Sequence, residues 1–399
     1  MIVRNEAGNL PACLSSVHGL FDEIVIVDTG SADRTREVAS DLGARVCDFP
    51  WSDSFSAARN ESLRLARGDW IFWMDADDRV DRAHRARLES LFSQLENENI
   101  AYEMTCLCRA PDGGATRATH VRLFRNKPGL RWHYRVHEQI GPALRRQNVE
   151  VRPADIVIEH IGYQDPELWR HKQERNLRLL KLSVDEEGDD PYLLFHLGWT
   201  YHGLGQWQQA TPVLSRCLER AAHSARFVAR NHALLASCYS KLGQQERAWA
   251  ICQQGLGRYP DHLELLYCAG QLCYEAGDWP GAAAAWLRLL EKRPMDSPAF
   301  CDDGLSGYRT RHSLAVLYDQ AGRAAEAEAE WRRCLAEEPA FVPALWELGR
   351  LLLRQARWTE VDRIAAQLDR VAQRFAVQLR VLDQLAREEV GGLLLPLAT

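Results

Sequence analysis

Small and aromatic residues recur with a fixed period in the second half of this 399-residue sequence. Copies that start at residues 229 and 263, and again at 308 and 342, are 34 residues apart. Small residues let two helices approach closely, aromatic residues fill the space between neighbouring pairs, and proline ends each second helix. The period therefore predicts a stack of helix pairs, an all-α solenoid. The recurring residues of two successive copies are Ala236, Tyr239, Gly243, Ala248 and Pro260, then Gly270, Cys273, Gly277, Ala282 and Pro294.

The period and its residues resemble the tetratricopeptide repeat (TPR). We predict repeats over 191–371, followed by a capping helix and tail over 372–399. Most of the aromatic residues are expected to form the core, so a protein or peptide acceptor, or another partner, would bind the concave face. The predicted units are 191–224, 229–262, 263–296, 308–341 and 342–371, with an insertion at 297–307.

In the first half of the chain, an apolar run at 70–74 ends at three carboxylates, Asp75, Asp77 and Asp78. Five apolar residues fit a strand that is buried on both faces of a sheet, and such sheets bind ligands at the ends of their strands. Aspartates at positions i and i+2 can direct oxygens to one divalent cation that also holds a diphosphate. The stretch therefore predicts a site for a nucleotide sugar. Asp78 is expected to shape the turn and not to bind metal.

Strand-like and helix-like segments alternate before this run. The segments 23–27 and 45–47 are apolar like strands, and 35–42 and 55–66 have the spacing of helices. Asp28 follows the first of these strands directly. The alternation predicts a parallel α/β sheet.

The segment between 100 and 133 contains three shorter alternating runs, which predict antiparallel strands at 100–108, 120–125 and 130–133. A last strand is expected at 156–163, with His160 near its end. A long polar helix is predicted from 166 to about 187, within a connector over 166–190 that joins the two halves.

The charge distribution bears on the class of partner. Residues 1–190 contain 26 Lys and Arg against 32 Asp and Glu, and the remainder is balanced. A basic surface for nucleic acid is therefore not expected. The sequence has no run of 18 apolar residues and no signal-peptide pattern, so we expect no transmembrane segment and a cytoplasmic location. The 11 cysteines, with Cys106 and Cys108 as one close pair, are expected to be buried thiols and not zinc ligands.

Taken in order, the motifs of the first 165 residues resemble the inverting glycosyltransferases of family 2, which have the GT-A fold. The resemblance implies an α/β GT-A nucleotide-diphospho-sugar transferase domain over 1–165, followed by the all-α TPR solenoid. Family members usually begin several residues before the first strand, so we expect translation to start upstream of Met1. The motifs are MIVRNE at 1–6, IVDTGSADRT at 26–35, ARN at 58–60, WMDAD at 73–77, HE at 137–138 and HIGY at 160–163.

The resemblance implies a donor-binding role for several residues. Asp28, with Thr29 beside it, would bind the nucleotide. Arg59 and Asn60 match the family segment that faces the nucleotide, and Asp75 would contact the ribose or the metal. The implied ligand is a nucleotide-sugar donor.

The resemblance also implies a metal site and a base. Asp77, with Asp75, would ligate Mn²⁺ or Mg²⁺, and His160 lies where related enzymes often supply a late metal ligand. Glu138 is the best-placed carboxylate for the base that takes the proton of the acceptor. The implied function is metal-dependent transfer of a sugar, with inversion, from a nucleotide-diphosphate donor to a protein, peptide or glycan.

Structural alternatives remain for most of these residues. Arg59 and Asn60 would also suit the opening of a helix, Glu138 a surface salt bridge, and His160 a satisfied core histidine. Two other functions remain open as well. One is a protein-binding scaffold with an inactive transferase domain, and the other is a nucleotidyltransferase, which would release pyrophosphate.

Overall fold

The computed structural model of the chain describes residues 1–96, 99–109, 115–162, 166–292 and 300–393. The chain divides into two compact units. Among the described residues, the first unit includes those within 1–109 and 116–248, and the second includes those within 249–292 and 302–393. The first unit thus contains the sheets together with the first helices that follow them.

Three parallel strands form the first sheet, in the order β1-β2-β3. The elements are β1 (Ile2–Val3), α1 (Leu10–Ser16), β2 (Val25–Asp28), α2 (Thr35–Asp41) and β3 (Arg45–Asp48). Asp28 pairs with Val3 on one side and with Asp48 on the other, so it stands at the carboxyl end of the middle strand. The predicted parallel alternation of strand and helix is confirmed in this sheet.

A second, mixed sheet follows. Its strands and helices are α3 (Phe55–Leu65), β4 (Trp70–Phe72), β5 (Asp78–Arg79), α4 (Arg82–Ser93), β6 (Ile100–Arg109), β7 (Ala115–Arg125), α5 (Gly141–Arg146) and β8 (Glu150–His160). The order of the strands is β4-β7-β6-β8-β5. Strands β6 and β8 are parallel, whereas β5 is antiparallel to β8. The β5–β8 pairing sets Asp78 opposite His160, which brings the acidic run next to the candidate histidine ligand.

The two faces of the mixed sheet enter separate cores. On one face, Leu123 and Ile158 pack with Leu88 of α4, and on the other Phe124 packs with Leu144 of α5. Successive residues of a strand point to opposite faces, so the apolar pair Leu123 and Phe124 requires a cover on each side. Because both faces are covered, the strand ends are where polar side chains can gather.

The strand predicted at 70–74 is shorter than expected. Only Trp70–Phe72 form β4, and these residues are partly exposed, so the prediction of five residues buried on both faces was wrong. The chain turns soon after Phe72 because the backbone groups that follow are used within the acidic turn. There the Asp75 N–H donates to Asp78 Oδ2 (2.8 Å), and the Asp78 N–H donates to the Asp75 carbonyl (3.1 Å).

The strands predicted as antiparallel over 100–133 are only partly confirmed. Strands β6 and β7 cover two of the predicted runs, but β6 is parallel to β8. Segment 130–133 forms no strand, and its isolated β contact is a bridge between His133 and Gln139. Alternating residues show that a strand forms, but its neighbour and direction depend on the whole sheet.

Helices dominate the described part of the chain beyond β8. They are α6 (Pro166–Glu187), α7 (Pro191–Gly203), α8 (Trp207–Arg220), α9 (Val228–Lys241), α10 (Gln245–Arg258), α11 (Leu263–Glu275), α12 (Trp279–Leu290), α13 (Tyr308–Gln320), α14 (Ala324–Glu337), α15 (Val342–Arg354), α16 (Trp358–Val371) and α17 (Gln373–Leu393), with a strand β9 (Phe300–Asp302) before α13. An α/β domain followed by helix pairs confirms the predicted fold class. Among the described residues, no helix has the length and apolar character needed to cross a membrane.

The recurring glycines have two structural reasons. Gly243 and Gly277 have φ angles of +74° and +79° in the turn between the two helices of a pair, a backbone that favours glycine. Gly270 lies against Trp286, where a Cβ would meet the indole Nε1 at 2.2 Å. In the last copy the turn position is occupied by Ala356 at φ +56°, which explains why that copy departs from the pattern.

Candidate functional site

Asp28 is fully buried at the end of β2. Its Oδ1 accepts hydrogen bonds from the backbone N–H groups of Gly30 (3.0 Å) and Ser31 (2.9 Å) and from Arg36 Nε (3.1 Å). Burial raises the pKa of Asp28, but the hydrogen bonds from Ser31, Gly30 and Arg36 outweigh it and hold the pKa below its ordinary value. Oδ2 is buried and accepts no hydrogen bond from the residues that the structure describes. A buried acceptor without a partner is unusual in a folded protein, which marks Asp28 as a candidate ligand-binding residue.

Thr29 uses its polar groups within the protein. Its backbone N–H and its Oγ1 both donate to the Val3 carbonyl, at 2.9 and 3.0 Å. The residue thus ties the end of β2 to β1. A contact between Thr29 and a nucleotide stays a prediction.

Asp78 is the structural centre of the acidic turn. It is fully buried, and its Oδ2 accepts hydrogen bonds from the Asp75 N–H (2.8 Å) and from Arg122 Nη1 (2.8 Å). Its Oδ1 lies 2.9 Å from His160 Nδ1. Both carboxylate oxygens are therefore engaged, and the expectation that Asp78 shapes the turn is confirmed.

Four side chains form a cluster at the ends of β4, β5 and β8. One ligand atom from each of Asp75, Asp77, Asp78 and His160 lies within 4.8 Å of all the others. Both oxygens of Asp78 are engaged by neighbouring groups, so the candidate ligands for a cation are Asp75, Asp77 and His160. Two carboxylates and one imidazole have the composition of a site for a divalent cation.

Charge in this cluster favours a bound cation. Burial raises the pKa of Asp77 to about 6, and the carboxylates of Asp75 and Asp78 contribute to this, while His160 opposes it. Burial lowers the pKa of His160, but its hydrogen bond to Asp78 and the charges of the other two carboxylates raise it to about 9. Burial raises the pKa of Asp75, but nearby positive charges, that of Arg59 first, hold it below its ordinary value. Asp75 pairs with Arg59 and Asp78 with Arg122, so the raised pKa of Asp77 marks the carboxylate whose charge a bound cation would stabilise most.

Gly162 borders the same space. A Cβ at this position would lie 2.1 Å from Asp77 Oδ2 and 3.0 Å from His160 Nε2. The side chains of Asp77 and His160 therefore approach the Gly162 backbone so closely that a larger residue would displace them. The sequence motif at 160–163 contained this glycine but did not reveal its role, since the close approach depends on the Asp77 turn.

Arg59 connects the cluster to the predicted base. It is buried, and its Nη2 donates to Asp75 Oδ1 (2.8 Å) while its Nε donates to Glu138 Oε1. The guanidinium also lies over the Trp73 ring, at 4.2 Å from the ring centroid, and 5.3 Å from that of Trp132. Burial lowers the pKa of Arg59, but the charges of Asp75 and Glu138 raise it above its ordinary value. The structure thus brings Asp75, Arg59 and Glu138 together.

Two structural alternatives can now be compared with the geometry. Arg59 and Asn60 do not open α3, because Ser54 is its N-cap and accepts a hydrogen bond from the Ala57 N–H (3.2 Å). Glu138 does form a salt bridge, but the bridge is buried and reaches the acidic cluster, which differs from the surface pair that was considered.

Asn60 is used within the protein. Its side-chain amide donates to the Trp132 carbonyl (3.0 Å) and accepts from the Trp132 N–H (2.7 Å). It therefore holds the backbone beneath the aromatic ring that lies beside Arg59. A direct contact between Asn60 and a donor stays a prediction.

Arg122 was not foreseen. It is almost fully buried in β7, pairs with Asp78, and its guanidinium lies 3.8 Å from the centroid of the Trp73 ring. The available signal was an arginine between the apolar residues Val121 and Leu123 of a strand. That position predicts a buried charge, but its partner lies 44 residues away and becomes evident only in the fold.

These features define a class of protein. The strand ends of an α/β domain hold a buried aspartate with an unpaired acceptor oxygen, a cluster of carboxylates with one imidazole, and a glutamate joined to that cluster by arginine. Helix pairs with repeat geometry follow. This is the arrangement of a nucleotide-sugar transferase domain with an attached repeat region.

Comparison with known proteins identifies the family. The family model "Glycosyl transferase family 2" matches residues 1–155, and two tetratricopeptide-repeat models match 192–224 and 229–262. A TPR repeat-containing protein of Synechococcus elongatus is 31% identical over 337 residues, which are 82% of this chain and 74% of the relative. The chain therefore has a glycosyltransferase family 2 domain followed by tetratricopeptide repeats, and it is a glycosyltransferase.

Other similar proteins cover smaller parts. The glycosyltransferase SunS from the SPbeta prophage of Bacillus subtilis is 27% identical over 228 residues, which are 55% of this chain and 52% of that protein. Among solved structures, the TPR protein TTC0263 of Thermus thermophilus is 21% identical, with a TM-score of 0.39, and covers 47% of this chain and 94% of its own.

Proposed function

We propose that this glycosyltransferase moves a sugar from a nucleotide-diphosphate donor to a protein, peptide or glycan, with inversion and with Mn²⁺ or Mg²⁺ as cofactor. One observation carries the proposal. The ligand atoms of Asp75, Asp77 and His160 lie together, and Arg59 links them to Glu138. A candidate site for a diphosphate and a candidate base are thus joined by one buried arginine.

The proposed site has two parts, which we name for the substrate that each would bind. The donor half consists of Asp28, Asp75, Asp77, Asp78, His160 and Gly162. The acceptor half is the segment 134–139, which carries Glu138.

In the donor half, Asp28 would bind the nucleotide. Its buried Oδ2 accepts no hydrogen bond from the described residues, and an N–H of the base or a ribose hydroxyl would satisfy it. Asp75, whose side chain is 30% exposed, would contact the ribose or the metal. Thr29 and Asn60 are further candidates for contact with the donor, and their hydrogen bonds to the backbone nearby would fix them in place.

Asp75, Asp77 and His160 would hold the cation. A divalent ion bound there would act as a Lewis acid that neutralises the diphosphate leaving group. The imidazole ligand favours Mn²⁺ over Mg²⁺, which prefers oxygen ligands and keeps its waters. Asp78 would orient His160 from the opposite side of the ring.

Glu138 would act as the base. The nucleophilic atom of the acceptor forms a bond to the anomeric carbon while the bond from that carbon to the diphosphate oxygen breaks. The electron pair leaves with the nucleoside diphosphate, and Glu138 takes the proton of the acceptor. Arg59 would keep the carboxylate in place, since it holds both Glu138 and Asp75. A positioned base typically contributes about 100- to 10,000-fold in rate.

The repeats favour a protein or peptide as acceptor. Stacked helix pairs present extended concave surfaces, which suit a chain segment better than a small sugar. We also propose that the protein acts in the cytoplasm.

Calorimetric titration of the full chain with UDP and with GDP, each with and without Mn²⁺, tests the proposal. We expect binding that depends on Mn²⁺, and release of the nucleoside diphosphate from the matching nucleotide sugars. Asp155→Asn is a suitable control for variants of the cluster, because the Asp155 carboxylate is 90% exposed and lies outside the cluster. It should bind the nucleotides as wild type does. Absence of binding to either nucleotide would favour an inactive scaffold. Release of pyrophosphate would indicate a nucleotidyltransferase.

A further inference from the structure

We propose that the first repeat helix, α7, completes the acceptor half, with Tyr192 and His196 as positioning residues that hold the segment bearing Glu138. The inference deepens the proposed function and rests on it for the role of Glu138. It assigns to the repeat region a part in the transferase site itself, in addition to any binding on its concave face.

The segment that carries Glu138 has a strained backbone. His137, the residue before it, has φ +54°, in the left-handed region that side chains other than glycine rarely adopt. Such a conformation is unfavourable and persists only when its surroundings enforce it. The groups that enforce it therefore also determine where Glu138 lies.

Tyr192 supplies the polar part of this support. Its hydroxyl donates to the His137 carbonyl (2.9 Å) and accepts from Gln139 Nε2 (2.9 Å). One hydroxyl of α7 thus holds the residues on either side of Glu138. Burial raises the pKa of Tyr192, so the hydroxyl keeps the proton that it donates.

His196 supplies the stacking part. Its ring lies parallel to that of His137, with centroids 4.1 Å apart and planes 14° apart. His196 is buried, and its Nδ1 has no hydrogen-bond partner among the described residues. Burial lowers the pKa of His137 to about 4 and that of His196 well below its ordinary value, so two neutral rings stack without repulsion. His196 therefore supports the segment through the stacking of its flat ring on His137.

The rest of the segment is held in the same way. Tyr134 stacks on Tyr192 with centroids 4.9 Å apart, and Val136 packs in a core with Leu193. Arg135 Nε donates to Glu186 of α6 (2.8 Å). Apart from the bridge between Gln139 and His133, segment 134–139 lies outside regular helices and strands, so these side-chain contacts help to hold it.

The test compares turnover with nucleotide affinity in the full chain. Tyr192→Phe removes the hydroxyl and His196→Ala removes the ring, whereas His196→Phe keeps a flat apolar ring. We expect hydrolysis of the donor by water to fall about tenfold or more in the first two variants, because a small displacement of a catalytic group is costly. The affinity for UDP with Mn²⁺ should stay within about twofold of wild type, and His196→Phe should restore most of the turnover.

A control on the same helix separates positioning from general damage to the repeat. His202→Ala removes a ring that contacts Ser237 and Trp207 and lies outside segment 134–139. It should leave turnover near that of wild type. Wild-type turnover in both Tyr192→Phe and His196→Ala would overturn the inference, and so would a loss of UDP affinity that equals the loss of turnover.

Hydrogen–deuterium exchange without any donor makes the inference independent of the activity. In Tyr192→Phe and His196→Ala, the amides of 134–139 should exchange faster while those of 75–79 do not change. If wild type neither binds nor hydrolyses a nucleotide sugar, the proposed function fails, and the exchange result still decides whether α7 holds the segment. Unchanged exchange at 134–139 would overturn the inference.

Discussion

The donor half and the acceptor half are held together by different means. In the donor half, Asp75, Asp77 and Asp78 are neighbours in the chain, and His160 joins them through the pairing of β5 with β8. In the acceptor half, Glu138 lies on a segment outside regular structure that Arg59 holds from one side and α7 from the other. The donor half is thus assembled from strand ends, whereas the acceptor half depends on contacts from distant elements.

This difference indicates which half of the site can change without disturbing the other half. The hydrogen bonds within the acidic turn join residues three positions apart, so the turn itself needs no contact with the repeats. The acceptor segment is tied to the first repeat helix, so a change in the repeats would alter the position of Glu138. An enzyme built in this way can keep one donor chemistry while its acceptor side follows its repeats.

The largest effect is expected from Asp77→Asn in the donor half. The variant removes a charged oxygen that faces His160 across the space beside Gly162. Several kcal/mol of charge stabilisation would be lost, so Mn²⁺-dependent donor hydrolysis should fall by about three orders of magnitude. Titration with UDP, with and without Mn²⁺, should show that the dependence on the metal disappears. Unchanged hydrolysis would show that Asp77 is not part of the site. The division into a donor half and an acceptor half would then lack support.

Glu138→Gln tests the acceptor half in the comparison with the donor half. The amide keeps an oxygen for Arg59 but cannot take a proton, so turnover should fall by about 100-fold or more. The affinity for UDP with Mn²⁺ should be preserved, because the donor half is built from other residues. Steady-state hydrolysis and calorimetry on the same preparation measure both quantities. Lost nucleotide affinity with preserved turnover would contradict the role as base.

Gly162→Ala tests the space in the donor half without removing a ligand. The new methyl group would meet Asp77 Oδ2 and His160 Nε2, so we expect the affinity for Mn²⁺ to fall about 10- to 100-fold. Gly257→Ala is the matched control, since a Cβ there meets nothing within 4 Å. Titration followed by the electron paramagnetic resonance of Mn²⁺ measures the affinity. Equal affinities in the two variants would show that the metal does not occupy this space.

The smallest effect concerns the acceptor half and pH. Burial holds the pKa of His196 well below its ordinary value, so below about pH 6.5 the unfolded chain binds a proton that the folded chain excludes. His196 therefore lowers the free energy of unfolding as the pH falls from 6.5. Between pH 7 and pH 5, the free energy of unfolding of His196→Phe should decrease by about 2 kcal/mol less than that of wild type. Urea unfolding at both pH values measures this, and equal losses would show that His196 titrates normally.

Much of the fold could be predicted because its signals are local. The TPR period can be recognised in the sequence because the turn at Gly277 requires a positive φ and because Trp286 packs against Gly270. Helix α6 was predicted at its observed position from its pattern. The direction of β6 relative to β8 and the absence of a strand at 130–133 could not be predicted, because alternation does not specify a partner.

The site divides in the same way. Asp28, Asp75 and Asp77 were predicted as site residues because they follow apolar runs, which is a property of adjacent residues. Arg122 and Gly162 were missed because their importance comes from the Asp77–Asp78 turn, far from either in the chain. Glu138 was found by its motif, but its buried link to Arg59 was not.

The sequence by itself determined that this chain has a transferase domain with an acidic strand end and a repeat array, because turn chemistry and periodicity act over a few residues. Only the tertiary structure decided that Asp78 holds His160, that Gly162 opens the space beside Asp77, and that α7 holds the segment of Glu138. These contacts join residues tens of positions apart, and their geometry exists only once the sheet and the first repeat have packed.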